Sequence, residues 1–165
     1  MDWEIITAVA ETVGAFAVVA SLIYLGVQTR NSATEDQART IHDCSVAFSV
    51  WQNSLALDPM ATKIWLNGHK DYSGLDEGEA LQFMLFFGAV CRILENAFLQ
   101  YKAGRMEADI WETYRATMRS HANSTGSIQY IETRHTSHTK EFITMWQELQ
   151  QDDPAWSFYT PLEFT

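Results

Sequence analysis

The sequence predicts an all-α protein: one membrane-spanning helix at the N-terminus, followed by a compact bundle of about five to six helices. Three observations predict it. Apolar residues recur at spacings of three and four along most of the 165 positions, which is the helical period. A long apolar run occupies the first thirty residues. With 8 glycines and 3 prolines the chain is too poor in turn formers for a turn-rich β fold.

Charge and cysteine content narrow the function classes. Lys and Arg number 11 against 21 Asp and Glu, a net charge of −10. That balance argues against a nucleic-acid partner, since binding there is dominated by basic groups on phosphates. Two cysteines, Cys44 and Cys91, rule out a disulfide scaffold and fit a reducing compartment.

The apolar run covers Ile5 to Val27, 23 residues with a single ionisable group, Glu11. As a helix it measures about 34 Å, enough to cross a hydrocarbon core of about 30 Å with some tilt. Trp3 stands at one end, where an amphipathic ring suits the interface. A buried core helix and a cleaved signal are the rival readings. The start Met-Asp-Trp-Glu is acidic and the run is long, both unlike a signal. All 11 basic residues follow the run, beginning with Arg30 and Arg39. The positive-inside rule then puts the N-terminus outside and the rest in the cytoplasm.

Thr7, Ala10, Gly14, Ala17 and Ser21 follow at spacings of 3, 4, 3 and 4, on one face of that helix. Small residues there let helix backbones approach closely in lipid, so this face is a candidate for helix–helix packing. Glu11 borders it. An intramembrane carboxyl is a functional candidate, as a ring shared by protons or cations in an oligomer. The alternative is a carboxyl near headgroups or bonded to a neighbouring helix.

The remaining chain reads as helices with punctuation. Ile41, Cys44, Phe48, Trp51 and Leu55 form a stripe on a helix from Ala33 to Leu57, and no breaker separates it from the apolar run. Asp58-Pro59 suits an N-cap and first position of a short helix, Pro59 to Asn67, that presents Met60, Ile64 and Trp65; Gly68 ends it. Asp76-Glu77-Gly78-Glu79 has the form of a capping box before the longest helix, Glu77 to Lys102. Its stripe is Phe83, Phe87, Val90, Leu94, Ala97 and Tyr101, broadened by Leu81, Leu85, Phe86 and Ile93, which predicts a central and nearly surrounded helix. Its uncharged stretch is too short for a second span. Arg92 and Glu95 are three apart and can form a structural ion pair. Helices over Met106 to Ser120, Ser127 to His135 and Thr139 to Gln150 follow, the last two broken near Thr136–His138. The domains are therefore a transmembrane helix over 1–30, a cytoplasmic helical domain over 31–150 and an extended tail over 151–165. In the tail, Trp156, Phe158, Tyr159 and Phe164 are candidates for binding a partner.

Two blocks resemble a family of uncharacterised proteobacterial proteins with an apolar N-terminal helix and an all-helical domain. The first is Ala10-Glu11-x-x-Gly14-Ala15-x-Ala17-Val18-x-x-Ser21-Leu22-x-Tyr24-Leu25-x-x-Gln28-x-Arg30. The second is Arg92-x-x-Glu95-Asn96-x-Phe98-x-Gln100-Tyr101-x-x-Gly104, then Trp111. The likeness covers most of the chain and stops after about Gln151. It implies a bacterial source, a helical fold and Glu11 as part of a pattern. It carries no activity.

Catalytic signatures are sparse. Glu132-x-x-His135 matches half of a di-iron carboxylate motif, but no second Glu-x-x-His occurs. The series Glu132, His135, His138 and Glu141 drifts around a helix by about 60° per step, so the four cannot converge. A solvated face or a helix break is the plainer reading. No glycine-rich phosphate loop, zincin motif or nucleophile elbow appears. The thiols lie on apolar stripes and read as buried and inert, and the tryptophans read as core.

The sequence thus predicts no cofactor, no catalysis and a membrane-anchored protein of the bacterial inner membrane that acts by self-association or as an interaction module. Its partners are membrane lipid and further copies or other membrane subunits. The alternatives are an accessory subunit of a larger membrane complex, an oligomeric pore or proton path through Glu11, and, more remotely, a metal enzyme at Glu132 and His135.

Overall fold

The computed structural model describes residues 3–151, the side chains of Ile5 and Ala33 excepted. Among them are six α-helices, two short 3₁₀ turns and no strand. The aromatic tail with Trp156, Phe158, Tyr159 and Phe164 lies outside the described residues.

Helix α1 (Trp3–Ala56) is continuous for 54 residues, with no break between the apolar run and the Ile41–Leu55 stripe. The chain divides into two units, Met1–Arg39 and Thr40–Thr165. In the first unit the described residues from 6 onward form the helix and, from 6 to 32, every side chain is exposed.

The second unit is the helical bundle. It holds the C-terminal part of α1, α2 (Pro59–Lys70), α3 (Glu77–Lys102), α4 (Ala108–Ala122), α5 (Thr125–Arg134) and α6 (Lys140–Gln151). Local chemistry sets the helix starts. Asp58 accepts from the Met60 N–H at 2.9 Å, with Pro59 in the first helical position. Asp76 accepts from Glu79 N–H at 2.8 Å while Glu79 reaches back to Asp76 N–H at 3.3 Å, so the capping box predicted for α3 forms in full. Gly104, at φ 70°, takes the left-handed turn that follows α3.

Helix α3 is the centre of the core. Phe83, Phe87, Val90, Cys91, Leu94 and Ala97 are fully buried. The segment of α1 beyond Thr40 runs antiparallel to it: Cys44 lies by Asn96, and Trp51 donates its indole N–H to the Phe86 carbonyl at 3.0 Å. Trp65 of α2 stacks on Phe83 and Phe87 with centroids 5.6 and 5.9 Å apart.

Two expectations need correction. Leu81 and Leu85, expected to broaden the buried stripe, are 57% and 66% exposed, so the covered part of α3 is narrower than its apolar stripe. Gly68 does not end α2, which continues to Lys70. Its missing side chain serves packing instead: a Cβ there would collide with the Phe83 ring.

Candidate functional site

The residues singled out in the first unit lie as the period demands. Thr7, Ala10, Gly14, Ala17 and Ser21 share one exposed helix face, and a Cβ placed on Gly14 meets nothing within 4 Å. Glu11 is exposed beside them. Thr7, Thr12 and Ser21 each turn their hydroxyl back onto the carbonyl four residues earlier, at 3.1, 2.7 and 2.8 Å. Those donors are spent inside the helix, so its flank offers little but hydrocarbon.

In the bundle, a cavity of about 480 Å³ lies between α1, α2 and α4. Phe48, Trp51 and Leu55 form one wall and Trp65 and Leu66 a second; Thr117, Ser120 and His121 of α4 form the third. The tryptophans are fixed. Trp51 is tied to the Phe86 carbonyl and meets Trp65 edge-on at 5.2 Å. Trp51 and Trp65 belong to the core as their stripes predict, and in addition line this cavity, which no single stripe discloses.

Behind that cavity, His69 and His121 pack 5.3 Å apart, each beside Trp65. His69 Nδ1 lies 2.6 Å from the Ser124 hydroxyl, which also caps α5 by accepting from the Ser127 N–H. Burial holds His121 down to about 4 and, with His121 as neighbour, His69 down to about 2. Both rings are neutral at pH 7.

A second polar cluster joins α3, α5 and α6. Glu95 Oε2 accepts from His138 Nδ1 at 2.7 Å, and Oε1 accepts from the Thr139 N–H at 2.6 Å. On the other side of the ring, His138 Nε2 lies 2.9 Å from the Tyr130 hydroxyl. Burial raises the Glu95 carboxyl, but the bonds from Thr139 and His138 together outweigh it and leave the pKa below its usual value. The chain ends at Tyr130, which burial, the largest influence, pushes up to about 12. Through Glu95 the cluster ties the start of α6 to α3 and acts as a latch.

This corrects the pairing expected within α3. Glu95 takes His138 and Thr139 as its partners, and Arg92 stands exposed. The Glu132 series also separates. His138 turns inward, whereas Glu132 and His135 are exposed and Glu141 pairs outward with Lys102 at 2.5 Å. Among the described residues no three His, Cys, Asp or Glu side chains gather as metal ligands. Cys44 and Cys91 are buried, and burial pushes the Cys91 thiol well up.

Comparison with protein-family models, curated proteins and solved structures found no match to this chain.

Proposed function

We propose that this chain is a membrane-anchored, non-catalytic helical protein that works by association. One observation carries the reading. The helix over Ile6 to Val27 has a stretch of mean hydropathy 2.0, and none of that stretch is buried. Soluble monomers rarely leave so long an apolar surface in water. A helix suits lipid because its backbone groups bond internally, and here the back-bonded Thr7, Thr12 and Ser21 hydroxyls do likewise.

On this reading, residues 5–27 cross the bacterial inner membrane with the N-terminus outside and the bundle in the cytoplasm, following the basic residues that begin at Arg30. The face of Thr7, Ala10, Gly14, Ala17 and Ser21 packs against a second copy or another membrane subunit. Glu11, beside that face, finds a hydrogen-bonding partner on the neighbouring helix.

Light scattering on protein extracted from membranes in mild detergent tests it. The reading expects a protein mass that is a multiple of 18.8 kDa, or co-extracted chains. A monomer that stays fully soluble without detergent would exclude it.

A further inference from the structure

We propose that the cavity between α1, α2 and α4 is a binding site for an uncharged, largely apolar small molecule carrying one hydroxyl or N–H group. The proposal stands on the bundle alone and does not depend on the membrane reading.

Size comes first. A volume of about 480 Å³ falls within the range of about 300–1,000 Å³ typical of small-molecule pockets. Shape is next. The floor is buried, with Trp51, Leu55, Trp65, Ser120 and His121 all under 10% exposed. The rim at Gln52, Ala56, Leu66 and Ala116 is exposed, so a ligand has a way in. The walls cannot close on the space by simple ring rotation. Trp51 is pinned by its bond to the Phe86 carbonyl, and Trp65 is clamped between Trp51 and the Phe83 and Phe87 rings. Such a pocket is largely pre-formed, which reduces the ordering cost of binding.

The lining chemistry selects the ligand. No Asp, Glu, Lys or Arg lines the cavity. A charged group entering it would lose its water with no opposite charge in return, which disfavours it strongly. An uncharged molecule with rings or a short chain loses nothing comparable and gains contact with Phe48, Trp51, Leu55 and Trp65.

Polar atoms come from all three helices, Gln52 of α1, Thr62 of α2 and Thr117, Ser120 and His121 of α4, and their bonding state sets the complement. Thr62 donates its hydroxyl to the Leu55 carbonyl at 2.6 Å, and Ser120 donates to the Thr117 carbonyl at 2.7 Å. Those protons are committed, while the oxygens keep lone pairs. Below the Gln52 amide at the rim, the cavity therefore presents hydroxyl acceptors, and a ligand donor such as an alcohol, phenol or amide N–H complements them. Methyl or aromatic carbon fills the remainder.

The probe that tests this is 4-benzoylbenzyl alcohol, which is uncharged, carries one hydroxyl and inserts into nearby C–H bonds on illumination. The full chain, in mild detergent or in buffer alone if it is soluble there, is illuminated with increasing probe, and the labelled peptides are mapped by mass spectrometry. Saturable labelling is expected in the segments around Leu55, Trp65 and Thr117. Two variants, Ala116→Trp and Ala56→Trp, place a ring in the cavity from opposite walls, and each should cut that labelling by about tenfold or more. Circular dichroism melting identifies which of the two keeps the fold. Labelling that does not saturate, that avoids these segments, or that is unchanged in the folded variants overturns the proposal.

Discussion

Glu95 and His138 lie 43 residues apart in sequence and 2.7 Å apart in space, the carboxylate accepting from the imidazole inside the bundle. The same carboxylate caps the entry to α6 through the Thr139 N–H. One side chain of α3 thus fixes both the turn after α5 and the start of α6.

Glu95→Gln should destabilise the bundle by about 1–3 kcal/mol at pH 7, the cost of weakening charge-assisted bonds at a buried site. The pH dependence has a definite sign. A carboxyl whose folded pKa is depressed stabilises above its unfolded value, near 4.3, and loses that contribution as the pH falls through the folded value. Denaturant melts of the two proteins should therefore converge below about pH 4. A constant gap down to pH 2 would contradict the latch.

Gly68 and Gly126 meet the two edges of the Phe83 ring, and a Cβ on Gly126 would also stand 2.5 Å from the Gly68 carbonyl. Alanine at either position should cost about 1–3 kcal/mol or more through overpacking. Phe83→Leu, itself destabilising, should recover part of the loss in the Gly126→Ala background. Strict additivity in that double-mutant cycle would show that the ring is not the obstacle.

These pairs mark the limit of what the sequence discloses. The bounds of α3, Glu77 to Lys102, were legible to the residue because the Asp76–Glu79 box and the turn at Gly104 are local signals. The stripe from Cys44 through Trp51 to Leu55 was legible because burial follows the helical period. Gly68 was misread because a glycine after an apolar stripe looks like a helix end, whereas its partner Phe83 lies on another helix. Leu81 and Leu85 widen the apolar stripe without joining the core, because the period gives the width of a stripe but not how much of it neighbours cover. Glu95 was assigned to the cation three residues away, since sequence offers neighbours in register and hides those brought by the fold. The cavity was invisible for a related reason: its three walls come from three helices, each unremarkable alone.

His121 sets a second pH limit. Its folded pKa, about 4, lies below the unfolded value near 6.5, so the unfolded chain takes up protons first as acid is added. Stability should be undisturbed by this group above pH 6.5 and should fall between there and pH 4, by about 3 kcal/mol in all. His121→Gln should lessen the slope across that window and leave the part that His69, held down to about 2, contributes over the same range. An unaltered slope would mean that the ring titrates normally in the fold.

Gly14→Ile on the small-residue face should weaken helix–helix association without disturbing the bundle, because a branched side chain keeps backbones apart. Energy transfer between labelled copies in liposomes would report it, and Val13→Ile, off that face, serves as the control. Equal loss in both variants would remove the face from the account.

The most direct measurement is alkaline carbonate extraction of membranes holding the full chain. If residues 5–27 lie in lipid, the chain stays in the pellet and leaves it only with detergent. Quantitative release into the carbonate supernatant as a folded species would contradict that placement.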